Sequence, residues 1–81
     1  MEKFITDIIN EWDPIDLFPF APQDEYKCEI NSIINLISYT TNINDIAIGI
    51  HSIFTKSFGD DVFKKSLLDC MEIAKSIQKN L

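Results

Sequence analysis

Four stretches of the chain repeat apolar residues at helical spacing, and none alternates them at strand spacing over a useful length. Phe4, Ile5, Ile8, Ile9 and Trp12 share one face of a helix over about residues 2–12, with Lys3, Thr6, Asp7, Asn10 and Glu11 on the other. Trp12-Asp13-Pro14 ends it, because the residue before a proline avoids the α region. Pro14, Pro19 and Pro22 then mark a structured connection that is itself apolar, with Ile15, Leu17, Phe18 and Phe20. Such a segment is expected to pack across the helices as a lid.

Pro22 suits the first position of a second helix, and Gln23, Asp24 and Glu25 put negative charge at its positive end. This helix is predicted over residues 22–39, with Tyr26, Ile30, Ile33, Ile34 and Ile37 as its stripe and Cys28, Leu36 and Tyr39 off it. Asn42 with Asp45 resembles a capping box and opens a third helix over residues 43–58. Ile43, Ile46, Ala47, Ile50, Ile53, Phe54 and Phe58 form its apolar side, while Ile48 falls among polar residues. Gly49 in mid-helix costs roughly 1 kcal/mol against alanine unless close packing needs it. Gly59 is a natural stop. Asp60 or Asp61 is expected to cap a fourth helix over residues 61–80, striped by Phe63, Leu67, Cys70, Met71, Ala74, Ile77 and Leu81. The prediction is an all-α, compact four-helix domain with a proline-rich apolar lid between the first two helices.

Length sets the scale: 81 residues make one domain with a modest core. Thirteen acids face seven lysines and no arginine, a net charge of −6. That balance disfavours nucleic acid and anionic membrane surfaces as partners and permits a basic protein. Two cysteines without CxxC or zinc spacing read as reduced thiols. The start lacks the apolar region of a signal peptide, and no apolar run approaches the roughly 20 residues of a membrane span. Together these point to a cytoplasmic protein.

Candidate chemistry is sparse. Glycine-rich phosphate loops, HExxH, GxSxG and EF-hand spacings are absent from the sequence. His51 is the single histidine and reads as a boundary residue, since a general base needs an orienting acid and a pocket. Cys70 lies mid-stripe and reads as core; Cys28 lies off-stripe beside Lys27. Asp13, Asp16, Asp24, Glu25 and Glu29 crowd one stretch. Paired carboxylates perform acid–base chemistry or hold divalent ions, but turn and helix capping also accounts for them. Trp12 and Tyr26 are of the residue types favoured as binding anchors, although Trp12 continues the first stripe into the core. Leu36, Tyr39 and Ile48 are the better candidates for exposed apolar contacts. No cofactor and no metal are called for.

The elements Glu11-Trp12-Asp13-Pro14-Ile15 and Pro22-Gln23-Asp24-Glu25-Tyr26, followed by Glu29-Ile30, resemble a small domain-of-unknown-function family typified by the YugE-like proteins of Bacillus. That family shares a WDP element after its first helix and a PxDEY element at the second. Its usual glycine two residues after the WDP proline is Asp16 here. The resemblance implies a compact helical domain with no established catalytic residues. The matching residues Trp12, Asp13, Pro14, Pro22, Asp24, Glu25 and Tyr26 also make sense as a structural clasp, in which Asp13 accepts from turn N–H groups and Trp12 packs under the lid.

Two functional expectations follow. One is a bacterial immunity or antitoxin-type inhibitor, not an enzyme, whose acids Asp16, Asp24, Glu25 and Glu29 face a toxin such as a basic nuclease. The alternative is a housekeeping interaction or regulatory module, with a homodimer allowed, that binds through Leu36, Tyr39 and Ile48.

Overall fold

The computed structural model describes residues 2–22 and 24–81. Its elements are α1 (Glu2–Trp12), α2 (Lys27–Ile37), α3 (Ile43–Phe58) and α4 (Leu67–Lys79). Each helix packs on the next in chain order, and α1 closes the ring onto α4. The core is built from the expected stripes: Ile5 and Ile9 from α1, Ile30 and Ile33 from α2, Ile46, Ile50 and Phe54 from α3, and Cys70, Ala74 and Ile77 from α4. The radius of gyration is 11.5 Å. A close-packed chain of this length should give roughly 12 Å, so the helices share one core.

Helices α1 and α3 occupy their predicted ranges. The Asn42 side chain accepts from the Asp45 N–H at 3.1 Å, and Gly59 leaves α3 at φ +84°. The reciprocal arm of the expected Asn42 box is absent from the described contacts. Asp45 instead contacts the Thr40 hydroxyl, which accepts from the Asn42 N–H. Gly49 has its packing reason: a methyl group there would strike Leu36 Cδ2, so α2 and α3 meet closely at this point.

Two helices start later than the sequence predicts. Helix α2 begins at Lys27, not Pro22. Asp24, Glu25 and Tyr26 instead form turns, with the Glu25 N–H on Pro22 O and the Lys27 N–H on Asp24 O. Pro22 therefore precedes the helix, and Gln23 lies outside the described residues. The turns deliver the Tyr26 ring into the core, where it is fully buried. Helix α4 begins at Leu67, not residue 61. Gly59 accepts from the N–H groups of Val62 and Phe63, which turns the chain so that Phe63 enters the core from a loop. Ser66 and Asp69 then cap α4 reciprocally, at 3.1 and 3.0 Å. This two-armed box satisfies two of the N–H groups left free at a helix start, which a lone Asp60 or Asp61 does not.

The lid is half right. Ile15, Leu17 and Phe18 pack against the core and Pro14 is buried, but Phe20 is 97% exposed. The Phe18–Pro19 peptide is cis. Among the described residues no helix is long and apolar enough to cross a membrane.

Candidate functional site

The α1–α2 connection is organised by one carboxylate. The Asp13 N–H closes the last turn of α1 on Ile9 O, and Asp13 itself takes φ +46°. Aspartate tolerates this left-handed region better than most residues, and the chain leaves the helix axis there. Asp13 Oδ1 accepts from the Leu17 N–H at 2.8 Å, and Oδ2 from the Phe18 N–H at 3.0 Å. The Tyr26 hydroxyl donates to Oδ1 at 2.6 Å and accepts from the Ile15 N–H at 3.3 Å. The loop and the entry of α2 are thus tied to the end of α1. Burial pulls the Asp13 carboxyl upward, but the bonds from Tyr26, Leu17 and Phe18 together outweigh it and hold it below its ordinary value. Burial, and then the bond to Asp13, push the Tyr26 hydroxyl far above its ordinary range. Both groups are held in the states that bond each other.

Aromatic rings carry the clasp into the core. Tyr26 meets Phe18 and Phe54 edge-on at 5.6 and 5.9 Å between centroids. Trp12 meets Phe54 and Phe63 edge-on at 5.7 and 6.1 Å, half-buried as the stripe of α1 required. Asp16 also takes a left-handed conformation, at φ +56°. The turn demands a left-handed residue, and aspartate meets that demand at a modest cost in strain.

The outer side of this connection is acidic. Between Lys3 and Lys27 the sequence holds six acids and no lysine. Asp13 turns inward, whereas Asp16, Asp24 and Glu25 are exposed. Glu29 departs from the expected acidic face: α2 carries it inward between Tyr26 and Ile33, where it is 7% exposed. Its Oε1 has no hydrogen-bond partner among the described residues. Among those residues, no three histidine, cysteine or acidic side chains gather as a metal-binding group. An unsatisfied buried carboxylate is costly, so Glu29→Met is expected to stabilise the fold by about 1–2 kcal/mol, read as a rise in the urea midpoint. A fall would show that Glu29 has a partner in solution.

The second surface is apolar. Ala47 and Ile48 of α3 and Leu67 and Met71 of α4, with Asn44 at the edge, line a cleft of about 250 Å³. Ile48 is 57% exposed, and Leu68, next to the cleft-lining Leu67, is 74% exposed. The other two residues expected in this role differ in exposure. Leu36 is half-buried against Gly49, and Tyr39 is exposed beyond the end of α2. Exposed Leu67 was hidden from the sequence by the assumed start of α4. The true cap, Ser66 with Asp69, was the signal that would have found it.

His51 is half-buried with its ring 5.6 Å from that of Phe63, a boundary position as expected. Cys28 is exposed, whereas Cys70 is buried and its thiol is pushed up to about 11, mainly by burial. A maleimide at neutral pH is therefore expected to label one thiol per native chain, Cys28, and both in urea. Rapid labelling of Cys70 in the native state would contradict its placement.

The family model described as a domain of unknown function, DUF1871, matches residues 4–79. The chain belongs to the DUF1871 family. The match takes in α1 from Phe4 onward, the other three helices, the Asp13–Tyr26 clasp and both surfaces of this DUF1871 domain. No curated protein and no solved structure matches the chain.

Proposed function

We propose that this DUF1871 chain is a protein-binding domain of the immunity or antitoxin type, which neutralises a basic toxin by covering it. The WDP and PxDEY elements support a likeness to the YugE-like proteins. The observation that carries the reading is the acidic connection. Asp16, Asp24 and Glu25 are exposed on a stretch free of lysine, and Asp13 holds the stretch in one shape. A fixed acidic surface steers a basic partner and loses little conformational freedom on docking. The cytoplasm is the compartment this reading assigns, in keeping with two free thiols.

The test is co-expression with the polypeptide encoded directly upstream, followed by size-exclusion chromatography in low and high salt. The expected result is one complex that weakens as ionic strength rises and suppresses a toxic activity of the partner. Charges on the rim are screened over about 3 Å in 1 M salt, against about 10 Å in 0.1 M. Elution of this chain alone in both salts contradicts the inhibitor reading.

The cleft at Ile48, Leu67 and Met71 supports a second reading, an interaction module that docks through apolar contact. Its complex would persist in high salt and be lost on Ile48→Asp, while Asp24→Asn/Glu25→Gln would leave it unchanged.

A further inference from the structure

Phe20 is the most exposed large apolar residue of the described chain, at 97%, and it stands within the acidic connection. An aromatic ring left wholly in water gains nothing for the fold. The apolar residues before it turn inward: Leu17 and Phe18 pack on the core, while Phe20 points away. The Ala21 N–H bonds Leu17 O at 3.0 Å, closing a turn with Phe20 near its tip. Asp16 precedes the base of that turn, and Pro22 and Asp24 follow it. The base is fixed in turn by Asp13, which holds the Leu17 and Phe18 N–H groups. Phe18 is seated edge-on against Tyr26. The loop therefore offers a single aromatic knob on a braced stem with carboxylates on both flanks.

We infer that Phe20 is the anchor of the docking surface, inserted into an apolar pocket of a protein partner whose rim carries lysine and arginine side chains. This rests on the protein-binding reading above and names the chemistry of the partner. Aromatic residues are enriched at interface cores, where they contribute large buried area. A braced loop loses little freedom when it binds, so the burial of the ring goes into affinity. The carboxylates Asp16, Asp24 and Glu25 would meet the basic rim, and their contribution lies mainly in the association rate. A second copy of this chain is a poor occupant, because each copy carries a net charge of −6 and the same acidic flanks.

The probe is the upstream-encoded polypeptide, purified and titrated against wild type, Phe20→Ser, Asp16→Asn/Asp24→Asn/Glu25→Gln and Ile48→Asp. Phe20→Ser removes no core contact, so its melting temperature should equal that of wild type. Its Kd is expected to rise about 10–100-fold, the loss of one buried aromatic side chain. The amide variant should slow association and flatten the salt dependence, and Ile48→Asp should leave Kd unchanged. If wild type binds and Phe20→Ser binds equally well, the anchor assignment is overturned while the protein-binding reading stands. If wild type itself does not bind, both fall. A complex lost on Ile48→Asp and kept on Phe20→Ser assigns the docking to the α3–α4 cleft and also overturns the anchor.

Discussion

Asp13→Ala is expected to lower the stability of the domain by about 2–4 kcal/mol, the largest effect of any change at a polar residue. Its carboxylate receives three hydrogen bonds, from the Leu17 and Phe18 N–H groups and the Tyr26 hydroxyl. Bonds to a charged group contribute about 1.5–3 kcal/mol each, but these three share one acceptor and a half-exposed site, so their sum is an overcount. Alanine at φ +46° adds backbone strain. Asp13→Gly separates the two causes: it relieves the strain and still loses the bonds, so it should fall nearly as far as alanine. Tyr26→Phe removes one arm and should lose about 1.5–3 kcal/mol, with coupling to Asp13 in a double-mutant cycle by urea denaturation. Loss of less than about 0.5 kcal/mol in Asp13→Gly would show that the bonds do not form in solution.

The pH dependence follows from the same contacts. The folded Asp13 carboxyl lies below its ordinary 3.8. Its contribution is therefore complete above that value and is lost as the pH falls through the folded one. Tyr26 is shifted the other way, above 10.0. Its contribution is complete below pH 10 and is lost as the pH rises towards the folded value. Wild type should thus lose stability at both extremes. Asp13→Asn should lack the acid-side loss due to residue 13, and Tyr26→Phe the alkaline loss due to residue 26.

Phe54→Ala is expected to cost about 3–5 kcal/mol and to lower the melting temperature steeply. Phe54 is fully buried, and its ring meets those of Trp12, Tyr26, Phe58 and Phe63. It joins three parts of the chain: the end of α1, the entry of α2 and the loop before α4. The total stability of an 81-residue domain is on the order of 4–12 kcal/mol, so one such cavity removes much of it. Phe54→Leu, which keeps much of the volume, should lose less than half as much. Circular dichroism melts of the two variants measure this directly. Equal melting temperatures for Phe54→Ala and wild type would mean that the aromatic cluster is not the centre of the core.

The four helices were legible because their stripes obey local periodicity: Ile5 and Ile9, or Ile46, Ile50 and Phe54, need no distant partner to be recognised. The clasp was legible in outline, since a carboxylate after a helix and before a proline has few roles beyond accepting turn N–H groups. Its bond to Tyr26 spans thirteen residues and lay beyond local reasoning. Tertiary demand also moved the starts of α2 and α4. Tyr26 and Phe63 each had to enter the core from a turn, and each delayed the helix that follows. The later start of α4 accounts for the missed leucine, since Leu67 becomes its exposed first residue, whereas Glu29 lies on the Tyr26 and Ile33 side wherever α2 opens. Phe20 resembled the other lid residues in sequence. Only the turn closed by Leu17 and Ala21 distinguishes it from them.

The central claim is that one carboxylate holds the acidic loop as a rigid docking surface, and amide hydrogen exchange tests it without a partner. The Leu17 and Phe18 amides lie outside any helix, yet both are bonded to Asp13. In wild type they should exchange as slowly as amides within α1, and in Asp13→Gly they should exchange at the rate of an open loop while the α3 amides stay protected. Rapid exchange of Leu17 and Phe18 in the wild-type protein would contradict the account.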